Sequence, residues 1–167
     1  VEEKIRDYII KSHLKFPEQV LIKSAKISKG ENYLLLPYLI LDFPRYFHPS
    51  AVFAYRTMFW WGNFFSCTIH LQGTLLNSYR TALEENIEFI IQNNFFIATS
   101  NTPWEYHYKD DNYQLINNLS ELEIIGLIKN KSFIKLSRYI SIEEHSKLPE
   151  FAEDTFRILM KSMGIDK

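Results

Sequence analysis

One cysteine, Cys67, is all the chain has, so neither an intrachain disulfide nor a multi-cysteine metal knuckle is available. Glycine is scarce too: the five, at 30, 62, 73, 126 and 164, are too scattered to cradle a phosphate in a Gly-rich loop. No G-x-S-x-G elbow occurs. The five histidines (13, 48, 70, 107 and 145) form neither an H-x-H nor an H-x-x-x-H pair, and so present no zinc spacing. Neither sign of charge dominates. Nineteen Lys and Arg against 20 Asp and Glu leave a net charge of −1, with no electrostatic footprint for duplex nucleic acid. No apolar run approaches the length of a membrane span, and the longest, Ala51 to Trp61, is interrupted by Arg56. Val1 to His13 is charged from the outset and lacks the apolar stretch of a signal peptide. A cytoplasmic protein without membrane or nucleic-acid partners is therefore expected, and no cofactor motif is found.

Aromatic side chains are what the chain has in quantity: 13 Phe, 10 Tyr and 3 Trp, or 16% of 167 residues. With 46% apolar and 23% charged residues, the composition is that of one well-packed globular domain spanning 1–167. Glu2 to His13 reads as a helix ended by Lys15-Phe16-Pro17. Tyr33 to Leu41 reads as a strand in which Pro37 demands an edge or a bulge, and Asp42 to Ser50, with two prolines, reads as a loop. Ala51–Trp61 and Phe64–Gln72 read as a hairpin closed by the two-residue loop Gly62-Asn63. Thr74 to Gln92 carries a helical apolar stripe, Ser120-Glu121-Leu122-Glu123 is a capping box, and Phe133 to Ile140 is a strand. Pro149 opens a last helix that Gly164 stops. Between them lie a short strand at Phe95–Thr99 and an alternating segment at Trp104–Tyr108. The order predicts an α+β fold with a mainly antiparallel sheet of five to seven strands and helices packed against it.

The Gly62-Asn63 turn sets a register with functional consequences. It places Tyr55 opposite His70, flanked by Thr57 and Thr68, on a mixed aromatic and polar face. It places Arg56 on the other, apolar face with Met58 and Cys67. A charge on an apolar face calls for a partner: a carboxylate such as Asp42, Glu88 or Glu105, or a bound anion. Arg138, on one strand face with Ile134, Leu136 and Ile140, poses the same question, and two inward arginines suit a carboxylate or phosphate. Trp104, Tyr106 and Tyr108 offer a stacking surface on one side of their segment, and Glu105 and His107 a polar pair on the other. Cys67 reads as a buried, inert thiol.

The C-terminal third, with Ser132-Phe133-Ile134-Lys135-Leu136-Ser137-Arg138-Tyr139-Ile140, then Glu143-Glu144, then Phe151 through Phe156 to Leu159, resembles the end of an uncharacterised bacterial superfamily that includes the YktB-like proteins. That resemblance implies an antiparallel α+β fold and brings no activity or catalytic residues with it. The leading functional expectation is non-catalytic binding of a small anionic ligand or peptide in an aromatic-lined cleft built from Tyr55, Arg56, His70, Trp104 and Arg138. Two other classes stand beside it. One is a hydrolase or transferase with Tyr55 and His70 as acid–base groups. The other is an interaction module with Trp60 or Trp61 at a homodimer surface.

Overall fold

Seven antiparallel strands form one sheet in the order β1-β2-β3-β4-β7-β5-β6, in a computed structural model that describes residues 1–166. The strands are β1 (Lys26–Tyr33), β2 (Leu36–His48), β3 (Ala51–Trp60), β4 (Phe64–Gln72), β5 (Phe96–Ala98), β6 (Tyr113–Leu115) and β7 (Phe133–Ser141). The helices are α1 (Glu2–Lys11), α2 (Gly73–Glu85), α3 (Ile87–Gln92), α4 (Glu121–Asn130) and α5 (Leu148–Ser162). This is the expected α+β class with a wholly antiparallel sheet. No helix among the described residues is long and apolar enough to cross a membrane.

The helices share one face of the sheet. Ile5 and Ile9 of α1, Leu76 and Leu83 of α2, Ile124 and Ile128 of α4, and Phe156 and Leu159 of α5 close over Phe53, Tyr55, Ile69, Leu71 and Leu136 in a single apolar cluster. Each helix contributes the stripe its sequence spacing dictates. The Ser120–Glu123 capping box forms as read from the sequence, and Pro149 falls in the first turn of α5. The stripe over 74–92 is divided at Asn86 into α2 and α3. Gly73 couples β4 tightly to α2. Its φ is +63°, and a Cβ there would lie 1.9 Å from the carbonyl oxygen of Ser50, so only glycine allows the chain to turn so close to that loop.

The sequence reading is corrected at three places. First, the Asp42–Ser50 segment is not a loop: β2 continues through it to His48, with a bulge between Asp42 and Arg45 that absorbs Pro44. Second, Trp104–Tyr108 forms no strand and instead belongs to an irregular segment between β5 and β6. Third, the β3–β4 hairpin turns through three residues rather than two. Trp60 pairs with Phe64, the Asn63 amide donates to the Trp60 carbonyl at 3.0 Å, and Gly62 takes φ +70° in the third position of the turn. That single residue turns the faces of β3 and β4 over relative to each other: Cys67 stays on the apolar face under the helices, as expected, while Arg56 lies on the other and Tyr55 takes its place in the core. Tyr55 faces Ile69, Arg56 faces Thr68, and Ala54 faces His70.

Candidate functional site

The face of the sheet away from the helices is covered by the segment 99–112, whose ends meet where the Thr99 amide donates to the Asn112 carbonyl at 2.9 Å. Strand pairing arranges the face beneath it in rows. One row crosses β2, β3, β4 and β7 as Asp42, Arg56, Thr68 and Ser137. The next crosses the same strands as Arg45, Ala54, His70 and Lys135. Directly opposed residues project to the same side, so Arg45, Arg56, His70 and Lys135 bring four basic side chains to one face. Ala54, in the middle of the second row, contributes only a methyl group.

Asp42 compensates one of these charges. Arg56 Nε and Nη2 donate to its two carboxylate oxygens at 2.8 and 3.0 Å, a bidentate pair with both residues buried. Burial by itself would lower the Arg56 pKa, and the Asp42 carboxylate more than offsets it, so the net shift is upward. The third donor, Nη1, reaches the Tyr106 hydroxyl at 3.2 Å. Beside the pair, buried hydroxyls satisfy one another: Thr68 Oγ1 lies 2.5 Å from Ser137 Oγ, which also contacts the Tyr108 hydroxyl.

The second row is not compensated in this way. Lys135 is 2% exposed and donates to the backbone carbonyls of Pro103 at 2.9 Å and Glu105 at 2.6 Å. Its ammonium has no carboxylate partner among the described residues. Burial, aided by the nearby Arg56 charge and opposed by Glu105, lowers its pKa to about 7. His70 is 1% exposed, and neither ring nitrogen finds a hydrogen-bond partner among the described residues. Burial, followed by the charges of Lys135 and Arg56 and opposed by the nearby Gln72 side chain, lowers its pKa to about 3 and keeps the imidazole neutral. Arg45 Nε and Gln72 Oε1 are likewise buried without a partner. The roof above includes Trp104, 52% exposed and edge-on to the His70 ring at 5.7 Å. The Tyr33 hydroxyl fastens the roof further along, donating to Glu105 Oε2 at 2.8 Å and accepting from the amides of Tyr106 and His107 at 2.8 and 3.2 Å.

The five residues expected to form one site divide between the two faces. Arg56, His70 and Trp104 come together on the loop-covered face. Tyr55 lies beneath the helices, fully buried, with its hydroxyl donating to the Ala152 carbonyl of α5 at 2.5 Å. The expected Tyr55–His70 pair is therefore overturned: the shifted turn puts the two on opposite sides of the sheet, where they cannot exchange a proton. Arg138 is also on the helix side, donating to Asp154 Oδ2 at 3.1 Å and lying over the rings of Phe95 and Phe151. The expected pairing of Arg56 with Arg138 around one anion fails for the same reason. Sequence reasoning missed Arg45, assigned to a loop, and Lys135, whose alternation with Ile134 and Leu136 marks the other face as polar. Comparison with family models, curated proteins and solved structures finds no match for the chain.

Proposed function

We propose that the chain binds a small anionic ligand on its loop-covered face, in the row of Arg45, His70 and Lys135 beneath Trp104. The observation that carries this reading is the buried His70 imidazole with neither nitrogen hydrogen-bonded, beside a lysine without a carboxylate and in one row with an arginine whose Nε is also unpartnered. Buried polar groups are ordinarily satisfied, and leaving one unmade costs about 1–3 kcal/mol. An oxyanion accepting from the one N–H of the neutral His70 ring and from the basic groups of its row would satisfy those donors and offset the excess of positive charge. The Asp42–Arg56 pair would hold the adjacent row rigid, and Trp104 would cover the ligand. The burial of His70 and Lys135 favours a compact ligand over an extended peptide, which would need an open groove.

Thermal unfolding with inorganic phosphate, sulfate and citrate tests this, each against sodium chloride of equal ionic strength. A ligand at one hundred times its Kd adds about 2.7 kcal/mol of stability. At least one anion should raise the melting temperature in a saturable way, and Arg45→Met or His70→Leu should abolish the rise. No anion exceeding the chloride control would overturn the reading.

A further inference from the structure

On the helix side the cover stops short of the hairpin tips. Strand pairing sets Ile27, Leu41, Thr57 and Cys67 in one row across β1 to β4, running from an exposed isoleucine to a cysteine fully buried beneath the helices. The next row, Lys29, Leu39, Phe59, Phe65 and Ile140, stays open: Leu39 is exposed and the other apolar members are only half-buried. Trp61, 55% exposed, extends it, with its ring 4.8 Å from that of Phe59, which in turn stacks on Phe65 at 4.7 Å. Of the two tryptophans considered for a homodimer surface, only this one is open; Trp60 is buried in the cluster on the opposite face. The β1–β2 hairpin ends in Leu34-Leu35, with φ +49° and +70° and Leu35 86% exposed. Asparagine and glycine suit such a turn and leucine is rare in it, so the turn itself does not require these side chains.

We propose that this strip is the interface of a homodimer, in which two copies stack face to face about a two-fold axis with their strands running in opposite directions. The occupant is a second copy because the strip complements itself in charge and in shape. Lys29 and Glu31 are exposed, make no ion pair among the described residues, and line one hollow of about 290 Å³ with Leu39 and Trp61. They stand two apart on an edge strand, so reversing its direction sets Lys29 of one copy against the partner's Glu31, and symmetry forms that ion pair twice. The same reversal sets Phe59 against the partner's Trp61. One row on, each Leu34-Leu35 tip arrives over a hollow of about 220 Å³ in its partner, walled by Ile27, Leu41, Phe59 and Phe65 and closed by Val1 and Leu148, where α1 and α5 begin. A leucine side chain fits such a hollow, and the helix starts form the ledge that stops further sliding. Strands running in the same direction would instead bring the helices of both copies to the same end and into collision. Packed sheets lie about 10 Å apart, so the bare strip is the part of this face that another sheet can reach.

Sedimentation velocity of the full chain, from low to high micromolar concentration, tests the proposal. The chain should sediment as a dimer and dissociate on dilution. Trp61→Lys should weaken the dimer at least about thirtyfold, the size of an aromatic hot spot. Leu34→Asn/Leu35→Gly supplies the residues the turn prefers, and it should weaken the dimer about tenfold while raising the melting temperature of the monomeric Trp61→Lys chain. That opposite sign separates lost association from a damaged fold. Lys29→Glu should also weaken the dimer, and Lys29→Glu/Glu31→Lys should restore it. A chain that is monomeric at every concentration refutes the dimer and leaves the strip to an unlike partner. A dimer unaffected by Trp61→Lys and by the tip variant refutes this interface, and a charge swap that restores nothing refutes the opposed direction of the strands.

Discussion

The two faces of this sheet bury residues of β3, β4 and β7 by opposite means. Under the helices lie Phe53, Tyr55, Cys67, Ile69, Leu71, Ile134 and Leu136, with the Tyr55 hydroxyl bonded to a helix carbonyl. Under the 99–112 segment lie Asp42, Arg56, Thr68, His70, Lys135 and Ser137, all buried. The difference lies in what covers them. Helices spend their amides and carbonyls internally, so a helical cover offers a buried polar group little to bond. An irregular cover has free backbone groups to offer: the carbonyls of Pro103 and Glu105 accept from Lys135, and the amides of Tyr106 and His107 donate to the Tyr33 hydroxyl. Polar burial follows the loop.

The contrast can be broken most forcefully by removing one central residue from each face. Phe156→Ala under the helices should cost about 3–5 kcal/mol through the cavity it leaves. Asp42→Ala on the other face should cost a similar ~3–5 kcal/mol by leaving the Arg56 guanidinium buried and unpaired. The two are told apart by urea unfolding of the double variant Asp42→Leu/Arg56→Met, which should recover most of the second loss. A double variant no more stable than Asp42→Ala would show that the ion pair is not the reason.

A pH series sharpens the comparison at a smaller scale. Burial holds folded His70 near 3, so as pH falls through about 6.5 the unfolded chain takes up a proton that the folded chain refuses. The stability tied to the neutral ring is complete above about 6.5. It is lost at about 1.4 kcal/mol per pH unit below that, down to about 3. His70→Leu should flatten the slope of unfolding free energy between pH 6 and 4 by about that amount. Equal slopes in the two proteins would mean the ring is protonated within the fold. The smallest effect is expected at Arg138, on the helix side. Its partner Asp154 is partly exposed and keeps a second arginine, Arg157, so Arg138→Met should lower the unfolding free energy from urea titration by less than ~1 kcal/mol. A larger loss would point to its packing over Phe95 and Phe151 as the main contribution.

The fold was largely legible because its signals are local: the Ser120 capping box, Pro149, Gly164 and the helical stripes each form where the sequence places them. Two things were not. β3 is apolar enough to be buried along nearly its whole length, so alternation could not say which of its faces met the helices. Only the turn could set the register with β4, and Gly62 serves a two-residue loop as readily as the three-residue one observed. The Asp42 carboxylate named as one partner for Arg56 is the partner found, because a buried charge has few ways to be satisfied. Arg45 and Lys135 stayed hidden because a polar residue on an alternating strand normally faces water, and nothing local reveals that a distant loop returns to cover it.

Tyr33 gives the molecule a mechanical asymmetry. Its phenol stands at the end of β1, an edge strand paired on one side only, and its single proton and both lone pairs are committed to residues 105–107. A margin of the sheet thus serves as the doorpost on which the far cover is hung. Fraying there, the commonest motion of any border strand, would slacken the canopy from a distance without disturbing a residue inside the basic row.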